Sequence, residues 1–207
     1  GNRGARPVHD PRPPQDPVSP LPDSDLAEVA ERAWALLARG AVDKRHGFNA
    51  FQIATLGAQG WPESRTVVLR AVAAAERRVT FHTDRRSAKA AQIEADGRVS
   101  AVFWSPKDKL QLRLWGQAGL VRDQAAVAEI WEGLTPVQKA IYRAEPPPGR
   151  AVTDPAALDG EAEGTRDAFA AVQITVMRFE WLHLRAEGHR RARFDWADGW
   201  QGSWLAP

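Results

Sequence analysis

Between Phe48 and Leu205 the apolar residues of this chain recur with a period of two, in short runs bounded by glycine, proline or aspartate. Alternation of this kind buries one face of a strand. A chain with many such runs must also hide or pair the exposed edges of the sheet it makes. The runs are Phe48–Leu56, Ser64–Val72, Arg78–Thr83, Arg98–Trp104, Leu110–Val121, Val172–Leu184, His189–Trp196 and Trp200–Leu205. Gly57-Ala58-Gln59-Gly60, Ser105-Pro106-Lys107-Asp108 and Ala197-Asp198-Gly199 supply turns between neighbours. Six to eight antiparallel strands in 207 residues predict a mainly β fold closed into a barrel, because closure removes the edges.

Three stretches of helical period interrupt the strands. From Asp25 to Arg39 the residues Leu26, Val29, Ala30, Ala33 and Leu37 share a face, Asp25 and Glu28 have capping-box spacing, and Gly40 reads as the stop. Ser87 reads as the cap of a short helix ending at Asp96-Gly97, and Asp123 opens another that runs through Trp131. Residues 143–164 are rich in Pro, Gly and Ala and too long for an ordinary connection, which predicts a mobile or functional loop. Residues 1–22 hold seven of the fifteen prolines without apolar periodicity, so an extended or disordered arm is expected before one domain at 23–207.

Charge and residue usage narrow the function classes. Twenty-eight Lys and Arg against 26 Asp and Glu leave +2, and the basic run His189–Arg193 alternates between strand faces, so no continuous track for a nucleic acid is expected. No apolar run is long enough to span a membrane, and the expected location is cytoplasmic. With no cysteine, thiolate chemistry and Fe–S clusters are excluded, and redox chemistry has to come from a bound cofactor. His46, His82, His183 and His189 lack the spacing of a ligand pair, so no metal site is expected.

Two segments concentrate chemistry: Arg65-Thr66-Val67-Val68-Leu69-Arg70, and Phe81-His82-Thr83-Asp84 followed by Ser87 and Lys89. In the second, hydroxyls, a helix N-terminus and a lysine in its first turn converge as a phosphate requires. The same residues suit a capped surface helix with solvated charges, and Arg65 and Arg70 suit strand ends that reach water.

These motifs also occur in order with Gln111-Leu112-Arg113-Leu114-Trp115-Gly116, His189-Arg190-Arg191-Ala192-Arg193-Phe194 and the terminal Trp204-Leu205-Ala206-Pro207. Together they resemble the pyridoxamine 5′-phosphate oxidase family over residues 25–207, more closely its bacterial FMN-binding branch than the vitamin-pathway oxidase. The resemblance implies a split β-barrel, an antiparallel Greek-key barrel with peripheral helices, paired as a homodimer with FMN at the subunit interface. It assigns Arg65, Ser87 and Lys89 to the FMN phosphate and the strand from Thr66 through Val67, Val68 and Leu69 to the flavin ring. His82 and Thr83 stand at a cofactor-touching Tyr-Thr pair, Gln111 at a flavin-contacting glutamine, and Arg193 at an arginine near the ring. Trp115 or Trp181 could also lie against the flavin.

The departures concern mostly the substrate. The second basic residue of the phosphate site is Ala88, and the substrate lysine is Arg70. Ile130, Leu134 and Gln138 stand where the family binds a substrate phosphate, and its C-terminal substrate pair reads His189 and Arg191. The family's flavin-contacting tryptophan has no clear equivalent, since His183 falls at the ungapped position and Trp181 lies two residues early. The implied function is an FMN-dependent oxidoreductase acting on an unidentified small substrate, inefficient with pyridoxine 5′-phosphate. The alternatives are a non-catalytic flavin carrier or sensor, or a barrel adapted to deazaflavin or haem.

Overall fold

The sequence folds, in a computed structural model that describes residues 21–143, 145–159 and 163–207, around one antiparallel sheet. Its strands are β1 (Ala50–Leu56), β2 (Pro62–Ala73), β3 (Arg78–Asp84), β4 (Arg98–Ser105), β5 (Leu110–Leu120), β6 (Phe169–His183), β7 (Arg190–Asp195) and β8 (Gly202–Leu205). They lie in the order β3-β2-β1-β4-β5-β6-β7-β8, and β3 also pairs with β6, closing the first six strands into a barrel. The order β3-β2-β1-β4 is the predicted Greek key, β4 returning beside β1 after the meander β1-β2-β3.

The long strand β6 explains how the barrel is split. One of its edges pairs with β5 from Val172 to His183. On the other edge, Phe169–Thr175 takes β3, while Arg178–His183 takes β7. The strand thus leaves the barrel halfway along and carries the β7–β8 hairpin as an extension.

The period-two alternation packs the interior. Phe51, Ile53, Leu69, Phe81, Phe103, Leu112 and Trp181 are fully buried, with the Phe51 and Phe103 rings stacked at 4.4 Å. Such aromatic side chains contribute the largest burial per residue, about 2–3 kcal/mol each.

Helix α1 (Leu26–Val42) covers one end, capped by Asp25, whose carboxylate accepts from the N–H groups of Ala27 and Glu28. Val29, Ala33 and Leu37 are buried as the periodicity requires. Gly40 does not end this helix. It lies inside the last turns, where an added Cβ would stand 2.8 Å from Phe48 Cβ, so its role is close approach of helix to barrel.

Three further helices are α2 (Ala88–Ala95), α3 (Gln124–Glu132) and α4 (Pro136–Lys139). Val127 and Trp131 of α3 pack with Tyr142, Ala168, Phe169 and Ala171 into a second cluster, separate from the main core. The segment read as a long loop is tied at its base: Arg143 bridges Gly164, Thr165 N–H donates to Tyr142 O, and Arg86 donates to Arg143 O. Residues 1–20 of the expected arm lie outside the described residues, whereas Leu21 packs against the core and Pro22 is buried. No helix among the described residues is long and apolar enough to cross a membrane.

Candidate functional site

Where β2 and β3 diverge, the two chemistry-bearing segments meet under α2. Arg65 alternates inward with Val67 and Leu69 and reaches the barrel end, where its guanidinium donates to the Thr55 hydroxyl, to Glu63 O at 2.9 Å and to Gln92 Oε1 at 3.1 Å. Thr55, 3% exposed, donates in turn to Gln92 at 2.6 Å. A half-buried arginine is thereby held by a strand on one side and a helix on the other.

The helix end supplies the rest. Thr83 and Ser87 are both buried, their hydroxyls 3.2 Å apart, and Lys89 Nζ donates to Thr83 Oγ1 at 3.2 Å. Ser87 occupies the N-cap position of α2 but makes no side-chain cap, because its hydroxyl is turned to Thr83. The predicted cap is therefore corrected: the helix N-terminus carries no side-chain cap bond, and its positive end faces the same hydroxyls and ammonium. Burial first, and Arg65 second, hold Lys89 below the usual lysine range, with Asp84 opposing. Asp84 itself is committed to Arg86, which it binds through both carboxylate oxygens at 3.0 and 2.7 Å. Arg65 also pairs with the Glu63 carboxylate at 3.3 Å, so the geometry gathers Arg65, Thr83, Ser87 and Lys89 and leaves the Lys89 ammonium as the charge in excess.

Beside this cluster β2 has an open edge. Pairing with β3 begins at Leu69, so the strand from Pro62 to Val68 has only β1 as a strand partner among the described residues. Backbone groups along such an edge need partners from outside the sheet. Val67 and Leu69 are buried, so what this edge offers a ligand is its backbone, together with Thr66, which is exposed, and Val68, which is half-buried.

The strand ends its approach in a bulge. Leu69 pairs with Phe81 and Ala71 with Thr80, which leaves Arg70 as the extra residue. Arg70 Nε is buried with no hydrogen-bond partner. Close by, the His82 ring meets Phe169 edge-on at 5.0 Å. Burial, then Arg70, lowers the His82 pKa to about 4, so the imidazole is neutral at pH 7. Tyr142 is pushed the other way by burial and remains a phenol.

The remaining predicted residues lie elsewhere on the molecule. Gln111, between the inward-facing Leu110 and Leu112, is on the outside of β5 opposite Trp104 and Leu182. Arg193 faces outward on β7 and pairs with Asp195 at 3.3 Å. Arg191 donates to Glu180 Oε2 at 2.8 Å, and Arg113 approaches the same oxygen at 3.5 Å while lying over the Trp115 ring. His189 accepts the Arg185 N–H through Nδ1 and lines an open cleft of about 280 Å³ with Asp23, Ser24, Arg190, Arg191, Trp204 and Leu205. Trp181 is fully buried in the core and cannot lie against a ligand on the outer face; Leu182, next to Gln111, takes the outward position.

Sequence reading missed several contributors. Thr55 carried a signal, a polar residue on the apolar face of β1 after Phe51 and Ile53. Glu180 and Tyr142 carried none, since their partners are distant in the chain.

Residues 31–122 match the family model described as pyridoxamine 5′-phosphate oxidase, FMN-binding domain. A pyridoxine/pyridoxamine 5′-phosphate oxidase of Pseudomonas putida is 27% identical over 172 residues, covering 77% of this chain and 78% of that protein. Among solved structures, a pyridoxamine 5′-phosphate oxidase-related, FMN-binding protein of Nostoc punctiforme superposes with a TM-score of 0.69 at 23% identity, over 86% of this chain and 96% of its own. PhzG of Burkholderia lata, solved with tetrahydrophenazine-1-carboxylic acid, gives 0.68 at 20% identity over 90% and 94%. The resemblance read from the motifs thus holds, in the family model over residues 31–122, in the Pseudomonas relative over 77% of the chain and in fold over 86% of it.

Proposed function

With that kinship as the premise, we propose that the chain binds FMN by its phosphate at the Arg65–Thr83–Ser87–Lys89 cluster and works as a homodimeric flavoprotein oxidoreductase on a small substrate. The observation that carries this reading is the state of Lys89. Its ammonium is half-buried beside a second cation, and its hydrogen bond goes to a neutral hydroxyl. An ammonium in a desolvated place without a carboxylate of its own is unfavourable until an anion arrives, and a phosphate dianion accepts from lysine, arginine, hydroxyls and helix N–H groups together.

Position along β2 suits the ring. The unpaired edge from Pro62 to Val68 runs on from Arg65 and offers backbone donors and acceptors to a flat polar heterocycle. FMN, when bound, would supply hydride or electron exchange through its isoalloxazine. The chain supplies position and charge: Arg65 and Lys89 fix the phosphate, and neutral His82 with Phe169 shields the neighbourhood from water. Arg193 brings a cation whose charge is partly balanced by Asp195.

The strand topology supports the reading that a second copy completes the site. In the ring β1-β2-β3-β6-β5-β4, β5 is three strands from β2 in either direction, so outward residues on the two point away from each other. Gln111 therefore cannot reach a ring lying on Thr66 and Val68 of its own barrel, and a partner's Gln111 and Arg193 would complete the site. The test is a titration of flavin-free protein with FMN, followed by absorbance and by sedimentation. Saturation at one FMN per chain in a dimer is expected. A monomer that holds FMN fully, or a dimer that ignores it, refutes the assignment.

A further inference from the structure

We infer that the substrate half of this site takes a planar, apolar carboxylic acid with one negative charge, not a phosphate ester, and that Arg70 is its anchor. The inference rests on the flavin reading above and deepens it.

The residues standing at the family's substrate-phosphate positions are committed to packing and capping. Ile130 and Leu134 lie half-buried against the Trp131, Tyr142 and Phe169 cluster. Gln138 is spent on a capping box, its carbonyl accepting from Thr135 N at 2.9 Å while its own N–H donates to Thr135 Oγ1. Arg191 is neutralised by Glu180, a carboxylate only 8% exposed that also faces Arg113. A carboxylate so placed uses up the charge of its arginines and repels a dianion about twice as strongly as a monoanion at the same distance.

Arg70 is different. No hydrogen bond or ion pair to it is found among the described residues, and its Nε is shut away from water without a partner. Arg70 stands at the bulge in β2, a feature found where residues are re-aimed beside binding sites. Its neighbours His82 and Tyr142 are both neutral near pH 7 and do not balance its charge. One unpaired guanidinium matches one carboxylate, which it can bind through two parallel hydrogen bonds. The surroundings, with His82 edge-on to Phe169 and with Ile130 and Leu134 nearby in the same cluster, suit an aromatic body.

The full chain, with FMN in excess so that the Arg65–Lys89 cluster is filled, would be titrated by calorimetry with 2-naphthoate, 2-naphthyl phosphate and the neutral 2-naphthalenemethanol. Naphthoate is expected to bind at least about tenfold more tightly than either analogue, the size expected for one charge-assisted hydrogen bond. Arg70→Met keeps the side-chain bulk without the charge. It should cost naphthoate about tenfold or more while leaving the neutral probe and FMN within about twofold. Undetectable naphthoate binding, phosphate binding as tight as carboxylate, or naphthoate affinity unchanged in Arg70→Met would each overturn the inference. FMN affinity is read separately by absorbance, so failure of the flavin assignment shows as loss of that signal and leaves the naphthoate comparison intact.

Discussion

Removing the Lys89 ammonium should move affinity and stability in opposite directions. In the flavin-free protein Lys89 is partly desolvated and sits near Arg65, and its pKa is lowered by both, so its charge is a net burden on the fold. Lys89→Ala strips that burden and the single bond to Thr83. Toward FMN the same change removes one charge-assisted hydrogen bond, worth about 1.5–3 kcal/mol, or about 12- to 150-fold in Kd. The assay pairs urea unfolding of the flavin-free variant with an FMN titration followed by flavin fluorescence. The expected result is an unfolding midpoint equal to or above that of the parent, with FMN affinity down by at least about tenfold. Arg65→Ala provides the contrast, because Arg65 also ties Thr55 and Gln92 together and its loss should lower both quantities. If Lys89→Ala binds FMN as tightly as the parent, or loses affinity only in step with lost stability, the ammonium does not hold the phosphate and the reasoning fails.

Stability should fall with acid through His82: its folded pKa of about 4 lies below the ordinary 6.5, so the unfolded chain takes up the proton first. The loss is complete near the lower value and amounts to about 3 kcal/mol, and a His82→Phe variant compared by urea unfolding at pH 7 and 4.5 should show a shallower decline. Pyridoxine 5′-phosphate should be oxidised poorly, since Ile130, Leu134 and Gln138 are committed to packing and a helix cap; efficient turnover in a peroxide-release assay would contradict this. Gly116→Ala places a Cβ 2.2 Å from the Thr175 carbonyl at the β5–β6 bulge, and thermal unfolding should register a loss of about 1–3 kcal/mol or more.

Local chemistry was legible in the chain itself. Alternation marked the strands to within a few residues, as in Arg98–Trp104 against the observed Arg98–Ser105, because a strand with one buried face must repeat every second residue. Asp25 and Asp123 were readable as caps because a carboxylate at that place has only the next turn's N–H groups to satisfy. Ser87 looked identical by that rule and is not a cap, since Thr83, four residues earlier, competes for its hydroxyl in the folded chain. The anion-binding character of positions 65, 83, 87 and 89 was likewise visible as residue types, though solvated charge explained them equally well until burial was known.

What only the folded chain decided is which charges find partners. Arg65, Arg70, Arg191 and Arg193 are the same residue in sequence, yet the first is held by Glu63, Thr55 and Gln92, the third by Glu180 and the fourth by Asp195. Arg70 alone of these four has no hydrogen-bond or ion-pair partner among the described residues: it stands at the β2 bulge near His82 and Tyr142, neither of which carries a balancing charge. Periodicity is a property of consecutive residues and survives in the unfolded chain. Pairing depends on strands that meet across the barrel after dozens of intervening residues, and on how much water closure removes from between them.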